Sequence, residues 1–255
     1  MLGAMIGDIV GSIYEWDNIK TTEFEFFGDR CFFTDDSVLT AATAKALMSG
    51  KDYTRTYQDF SRRYPGRGYG GRFIDWIHSQ NPQPYNSWGN GSAMRVSPVG
   101  FAYNTVEEVL AEAKHSAEVT HNHPEGIKGA QATALAILMA RQGASQDDIR
   151  EEISRCFAYD LDRTLAEIRP IYQFNESCQE TVPEAMIAFL ESDSFEDAIR
   201  KAISLGGDSD TLACITGGIA EAFYGIPDEL AAKGRRFLPQ EFIQILEDFK
   251  THFQP

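Results

Sequence analysis

Two short acid–threonine clusters lie far apart in this 255-residue chain: Thr34-Asp35-Asp36, and Asp208-Ser209-Asp210-Thr211 introduced by Gly206-Gly207. Asp35, Asp36, Asp208 and Asp210, with the hydroxyls of Thr34 and Thr211, offer hard oxygen donors only. Such a set suits one or two divalent cations of the Mg2+ or Mn2+ type. Each cluster also reads as a helix start, with a threonine or aspartate cap and acidic residues in the first turn, where free N–H groups and the positive dipole end offset negative charge. Either cluster alone is explained as a cap. The pair, each flanked by small residues and followed by an apolar, alanine-containing run, says more if the fold brings the two together.

Other residues of chemical interest surround them. Gly66, Gly68, Gly70 and Gly71 alternate with Arg67, Tyr69 and Arg72, and a second loop carries Gly89-Asn90-Gly91-Ser92. Such loops turn several backbone N–H groups toward one anion, as for a diphosphate, although plain surface loops share the composition. The second lacks the third glycine of a dinucleotide fingerprint and no strand precedes it, so it is not a Rossmann turn. In Thr120-His121-Asn122-His123, no thiolate or further histidine accompanies the pair. His121 reads either as a hydrogen-bonded structural residue or as a donor to a substrate hydroxyl or phosphate. Glu15 stands beside Trp16 at the end of the first apolar segment. It is either a solvated helix-end acid or one partly desolvated by the indole, with a pKa raised toward the range useful for proton transfer.

Helical spacing dominates the elements that must position these groups. Leu2, Met5, Ile6, Ile9, Val10 and Ile13 predict a helix over Met1 to Tyr14, and Gly3, Gly7 and Gly11 leave one face bare for close approach of another backbone. Thr34 is the expected cap of a helix from Asp35 to about Met48. Further helices are expected over Arg55–Arg63, Val106–Glu118, Pro124–Arg141, Asp147–Phe157, Val182–Leu190, Phe195–Ser204, Thr211–Phe223 and Glu241–Phe253, with loops over Tyr64–Gly71 and Asn81–Gly91. No alternating strand pattern, fixed-period repeat or Ser/Pro-rich linker interrupts them. The expectation is one all-α domain over residues 1–255, a multi-helix unit with a central metal cleft.

Composition narrows the partners. With 43% hydrophobic residues the chain can bury a core and is not of the disordered class. A formal charge of −15 repels nucleic acid and anionic membranes, so neither is an expected partner. An anionic substrate needs cations or backbone donors to reverse the sign locally. Cys31, Cys156, Cys178 and Cys214 form no C-x-x-C pair and read as thiols of a reducing compartment. The first residues lack a signal peptide's basic region, and no apolar run is long enough to cross a bilayer. A cytoplasmic location is expected.

Gly3-Ala4-Met5-Ile6-Gly7-Asp8-Ile9-Val10-Gly11-Ser12 with Glu15, Phe33-Thr34-Asp35-Asp36-Ser37, Gly68-Tyr69-Gly70-Gly71, Gly89 to Arg95, Thr120-His121 and Gly206 to Thr211 together resemble the ADP-ribosylglycohydrolase family, in that family's order and across nearly the whole chain. The resemblance implies an all-α fold with two Mg2+ or Mn2+ ions held by Thr34, Asp35, Asp36, Asp208, Asp210 and Thr211. It implies that Gly70, Gly71, Gly91 and Ser92 hold a diphosphate and that His121 contacts substrate. It places Glu15 near the scissile ribose, with Glu15 or Asp36 handling the proton. The implied reaction is hydrolysis of the C1″ bond between ADP-ribose and an acceptor, a protein side chain or a small molecule. Two alternatives stand beside it. One is a non-catalytic ADP-ribose binder of the same fold. The other is a haloacid-dehalogenase-type phosphatase, because Asp208-x-Asp210-Thr211 also looks like that nucleophile motif, which requires a preceding strand and an α/β sheet.

Overall fold

The computed structural model describes residues 1–253, and every regular element in them is a helix. The order is α1 (Leu2–Gly11), α2 (Asp35–Met48), α3 (Tyr53–Arg63), α4 (Gly71–His78), α5 (Gly91–Met94), α6 (Ser97–Ala102), α7 (Val106–Glu118) and α8 (Pro124–Arg141). It continues with α9 (Gln146–Phe157), α10 (Leu165–Ile168), α11 (Cys178–Leu190), α12 (Phe195–Ile203), α13 (Ser209–Tyr224), α14 (Asp228–Arg235) and α15 (Gln240–Phe253). Extended pairing among the described residues is confined to an isolated bridge between Gly89 and Ser177. The all-α expectation therefore holds, and the phosphatase alternative falls with the sheet it requires.

Local signals set many of the helix starts. The Thr34 side chain accepts from the Asp36 N–H and caps α2, Asp52 caps α3, and Ser145 and Asp148 form a reciprocal capping box at α9. The core is then assembled around α13, which packs against α1, α8, α11 and α12. All ten residues of α1 are buried, as is α13 from Ser209 to Ala220. The glycine step of α1 makes this crossing possible. A Cβ on Gly7 would overlap the Ala213 carbonyl, and one on Gly11 would lie 2.5 Å from the Asp210 Cα. Gly217 on α13 returns the contact against Gly3. The two backbones thus meet along a shared glycine seam, as the bare face of α1 predicts.

Several boundaries differ from the sequence expectation. The first helix ends at Gly11 and does not reach Tyr14. The Ser12 hydroxyl donates back to the Ile9 carbonyl at 2.8 Å, and the Asn18 amide takes the carbonyls of Tyr14 at 2.7 Å and Glu15 at 2.9 Å. Glu15 therefore sits in a turn, not at a helix end. Helix α11 begins at Cys178, four residues before Val182, and carries Pro183 inside it. Helices α4, α5, α6, α10 and α14 were not expected. Two of them, α5 and α10, are only four residues long, too short to show a helical period. Helix α4 does show one, because its buried Phe73, Trp76 and Ile77 have i, i+3, i+4 spacing. Its opening glycines conceal it. No described helix is long and apolar enough to cross a membrane.

Candidate active site

The starts of α2 and α13 converge on one cleft of about 260 Å³. Asp35, Asp36, Asp208, Asp210 and Thr211 line it together with Glu15, Gly68, Gly70, Gly71, Gly91 and His121. Thr34 and Ser92 lie behind that lining. Thr34 donates its hydroxyl to Asp8 Oδ1 at 2.7 Å, and Ser92 donates to the Gly126 carbonyl at 2.7 Å. His123, the partner of His121 in sequence, turns away to cap α8 by accepting from the Glu125 N–H.

The seam between α1 and α13 supplies the convergence. Asp8, in the middle of α1, receives the Thr34 N–H and the Ser37 N–H, each 3.0 Å from Oδ2, and the hydroxyls of both residues. The start of α2 is thereby docked onto α1, whose other face carries α13. From the other end, Asn18 clamps two loops. Its Oδ1 accepts from the Gly207 N–H at 2.7 Å and its amide donates to the Gly207 carbonyl at 2.9 Å, while the same amide holds the Tyr14 and Glu15 carbonyls. Gly206 and Gly207 both have φ near +70°, a left-handed conformation that favours glycine. Glu15, Asp208 and Asp210 are thus drawn together, with one carboxylate oxygen from each inside a 4.8 Å cluster.

This crowding has an electrostatic consequence. Burial and then neighbouring carboxylates push Asp35, Asp36 and Asp210 well above the usual carboxylate range. Burial raises Asp208 as well, opposed by hydrogen bonds that include the Asn90 amide at 2.7 Å. Glu15 is pushed up to about 7, mainly by burial and then by the Asp208 charge. Buried Asp36 holds one oxygen near the Thr34 and Thr211 hydroxyls, each at 3.5 Å, and leaves Oδ1 with no partner. An orphaned buried carboxylate oxygen among several mutually repelling acids is the environment a divalent cation stabilises. The donor set fits such an ion: it is all oxygen, and no basic side chain forms an ion pair with these acids among the described residues.

Glycine loops form the rest of the cleft. The first is tied to the start of α2, since the Arg67 carbonyl accepts from the Asp35 N–H at 2.8 Å and Arg67 donates to the Phe33 carbonyl at 3.0 Å. Nothing lies within 4 Å of a Cβ built on Gly70 or Gly71, so both face open space. The second loop is held by the Asn90 side chain, which reaches both Asp208 and Thr181.

Sequence reasoning passed over Asp8, Asn18 and Asn90 as site-building residues. For Asp8 a signal existed, because a charged residue in an otherwise apolar, glycine-faced helix needs buried donors. Asn18 and Asn90 carry no such signal. Arg72, Tyr85, Arg95 and Glu176 also line the cleft; Arg72 and Arg95 stand in the glycine-loop motifs without an assigned role, and Tyr85 and Glu176 were not singled out.

A sequence model described as ADP-ribosylglycohydrolase matches residues 1–254. The chain is 26% identical to ADP-ribosylhydrolase ARH3 of Mus musculus, over 89% of this chain and 83% of that protein. It is 25% identical to ADP-ribosylarginine hydrolase Tri1 of Pseudomonas putida, over 89% of this chain and 70% of the relative. Among solved structures, an ADP-ribosylglycohydrolase-related protein complex superposes with a TM-score of 0.73 at 23% identity, covering 98% of this chain and 96% of that one. That similarity establishes the all-α fold.

Proposed function

The chain belongs to the ADP-ribosylglycohydrolase family, and from that footing we propose that it is a hydrolase that frees ADP-ribose from a modified acceptor by cleaving the C1″ glycosidic bond. The observation that carries this reading is the joining of acids from opposite ends of the chain, Glu15 with Asp208 and Asp210, in a cleft also walled by glycine loops and a histidine. Names of relatives point the same way: ADP-ribosylhydrolase for one, ADP-ribosylarginine hydrolase for another.

In this proposal two divalent cations, Mg2+ or Mn2+, are held by Thr34, Asp35, Asp36, Asp208, Asp210 and Thr211. Bound there, they supply charge neutralisation and Lewis-acid polarisation of ribose hydroxyls and water. Thr34 takes part only if its hydroxyl loosens from Asp8. The N–H groups around Gly70, Gly71 and Gly91 face the diphosphate, and His121 donates to it. Ser92 contributes its backbone, because its hydroxyl is already committed to Gly126. The carboxylates of the cleft stabilise the positive charge that develops at C1″ as the bond breaks.

Of the two acids considered for proton handling, geometry favours Glu15. It is half-buried, lines the cleft and carries no other role in the proposed ligand set, and burial followed by the Asp208 charge raises its pKa in the metal-free protein. Asp36 is 2% exposed and lies beneath the threonine hydroxyls. Glu15 then gives a proton to the leaving acceptor, or takes one from the attacking water.

The decisive experiment incubates the protein with arginine-linked and serine-linked ADP-ribosyl peptides, with Mg2+ or Mn2+ and with EDTA, and measures free ADP-ribose. Release that EDTA abolishes supports the reading. Binding of ADP-ribose with no release from any linkage would instead identify a non-catalytic binder.

A further inference from the structure

We infer that Arg95 and Thr120 are positioning residues that fix the tautomer of His121 and aim its Nε2–H into the cleft. The contact lengths select one arrangement of two: Thr120 Oγ1 can accept from both Arg95 and a His121 Nδ1–H only by sending its own hydrogen to the Ala117 carbonyl, 3.5 Å away. A guanidinium has no acceptor capacity, so Arg95 Nη2 donates to Thr120 Oγ1 at 2.8 Å. The Thr120 hydroxyl then has one hydrogen to place. His121 Nδ1 lies 2.7 Å away and the Ala117 carbonyl 3.5 Å away. The first is a normal hydrogen-bond length and the second is at the limit of one. The hydrogen goes to Nδ1, which is thereby an acceptor. A neutral imidazole carries a single N–H, so that hydrogen sits on Nε2.

The surroundings keep the ring neutral and leave Nε2 free. Burial and then the Arg95 charge hold His121 well below the usual histidine range. Among the described residues Nε2 has no hydrogen-bond partner. It lies against the second glycine loop, where a Cβ on Gly91 would be 3.2 Å from Nε2 and one on Gly89 3.5 Å. Side chains there would crowd the nitrogen that faces the ligand.

Arg95 itself calls for an explanation. It is fully buried, Nε and Nη1 have no partner, and it forms no ion pair among the described residues. Its guanidinium lies over the Tyr57 ring, 4.3 Å from the centroid, and its remaining polar contact is the Ser116 carbonyl at 3.1 Å. A buried cation without a counter-ion is costly to the fold. Its placement on the cleft wall is accounted for by orienting Thr120, suppressing the imidazolium and favouring an anion in the cleft.

The test reads the tautomer directly. In 15N-labelled protein without ligand, long-range 1H–15N spectra should show the His121 hydrogen on Nε2. A hydrogen on Nδ1 overturns the inference, and no variant is needed for that reading. Thr120→Val should lose the single tautomer and weaken ADP-ribose binding about tenfold, with Thr120→Ser restoring both. An unchanged tautomer and affinity in Thr120→Val would likewise overturn it. The affinity arm rests on the proposed function. If the unaltered protein does not bind ADP-ribose, that reading fails, and the ligand-free spectrum still decides the tautomer.

Discussion

Asp8 and Thr34 are joined twice in a buried setting: the threonine N–H lies 3.0 Å from Asp8 Oδ2 and its hydroxyl 2.7 Å from Oδ1. One aspartate on α1 therefore fixes the cap of α2, and through that cap the direction of Asp35 and Asp36. Asp8→Ala should cost roughly 3 kcal/mol of stability, since it leaves buried donors of Thr34 and Ser37 without an acceptor. Urea unfolding measures this. Asp8→Asn should not rescue it, because an amide N–H would then face other donors. A loss below about 0.5 kcal/mol would contradict the structural role.

The seam of α1 and α13 makes a sharper prediction. Gly7→Ala puts a methyl group onto the Ala213 carbonyl and should destabilise the fold by more than about 3 kcal/mol. Gly71→Ala, which faces open space, should leave the melting temperature nearly unchanged while weakening ADP-ribose binding. Comparable melting temperatures for the two variants would show that the helices do not meet as described.

Stability of the protein in EDTA should fall as pH rises from about 4.5 to about 7.5. Asp8 is raised from 3.8 to about 6 and Glu15 from 4.5 to about 7. At these carboxyls the folded state holds more protons than the unfolded chain across that window; His121, held neutral when folded, contributes the opposite sign, but it is one group against several, so the unfolding free energy declines with pH. Asp35, Asp36 and Asp210 shift in the same direction. Saturating Mn2+ should flatten the decline, because a cation binds the ionised carboxylates. Thermal melts across the range, with and without Mn2+, test both statements. A melting temperature that climbs with pH in EDTA would refute the first.

Removing one charge from the cluster should separate stability from function. Asp210→Asn relieves repulsion and should stabilise the metal-free protein by about 1 kcal/mol. It should also abolish the stabilisation by Mn2+ and reduce release of ADP-ribose by more than about 100-fold. Circular dichroism should stay helical. A variant that keeps both its Mn2+ response and its turnover would remove Asp210 from the ligand set.

Much of this architecture is legible in local sequence. Thr34 followed by two aspartates marks the start of α2, and the glycine step over Gly3, Gly7 and Gly11 announces a close helix contact. These signals work because capping and periodicity depend on residues within a few positions of one another. The hidden parts depend on distance along the chain. Asn18 holds Gly207 across 189 positions, and Asn90 reaches Asp208 across 118. Asn18 does not differ in sequence from an ordinary loop residue, and Asn90, although it stands in the second glycine loop, gives no local sign of its distant partner. The end of α1 at Gly11 was obscured for a different reason: apolar spacing continues to Ile13, but local side-chain contacts of Ser12 and Asn18 with nearby carbonyls turn the chain first.

The sequence by itself determined the helical class, the starts of the principal helices, the oxygen-donor clusters and the thin face of α1, because each is encoded by neighbouring side chains. Only the tertiary structure decided that Asp36 keeps an unpartnered oxygen under two threonines, that Glu15 leaves its helix to stand beside Asp208 and Asp210, and that Ser92 turns its hydroxyl away from the cleft. Those outcomes follow from which backbones can approach along the glycine seam and which buried donors and acceptors then find each other, and no local pattern carries that information.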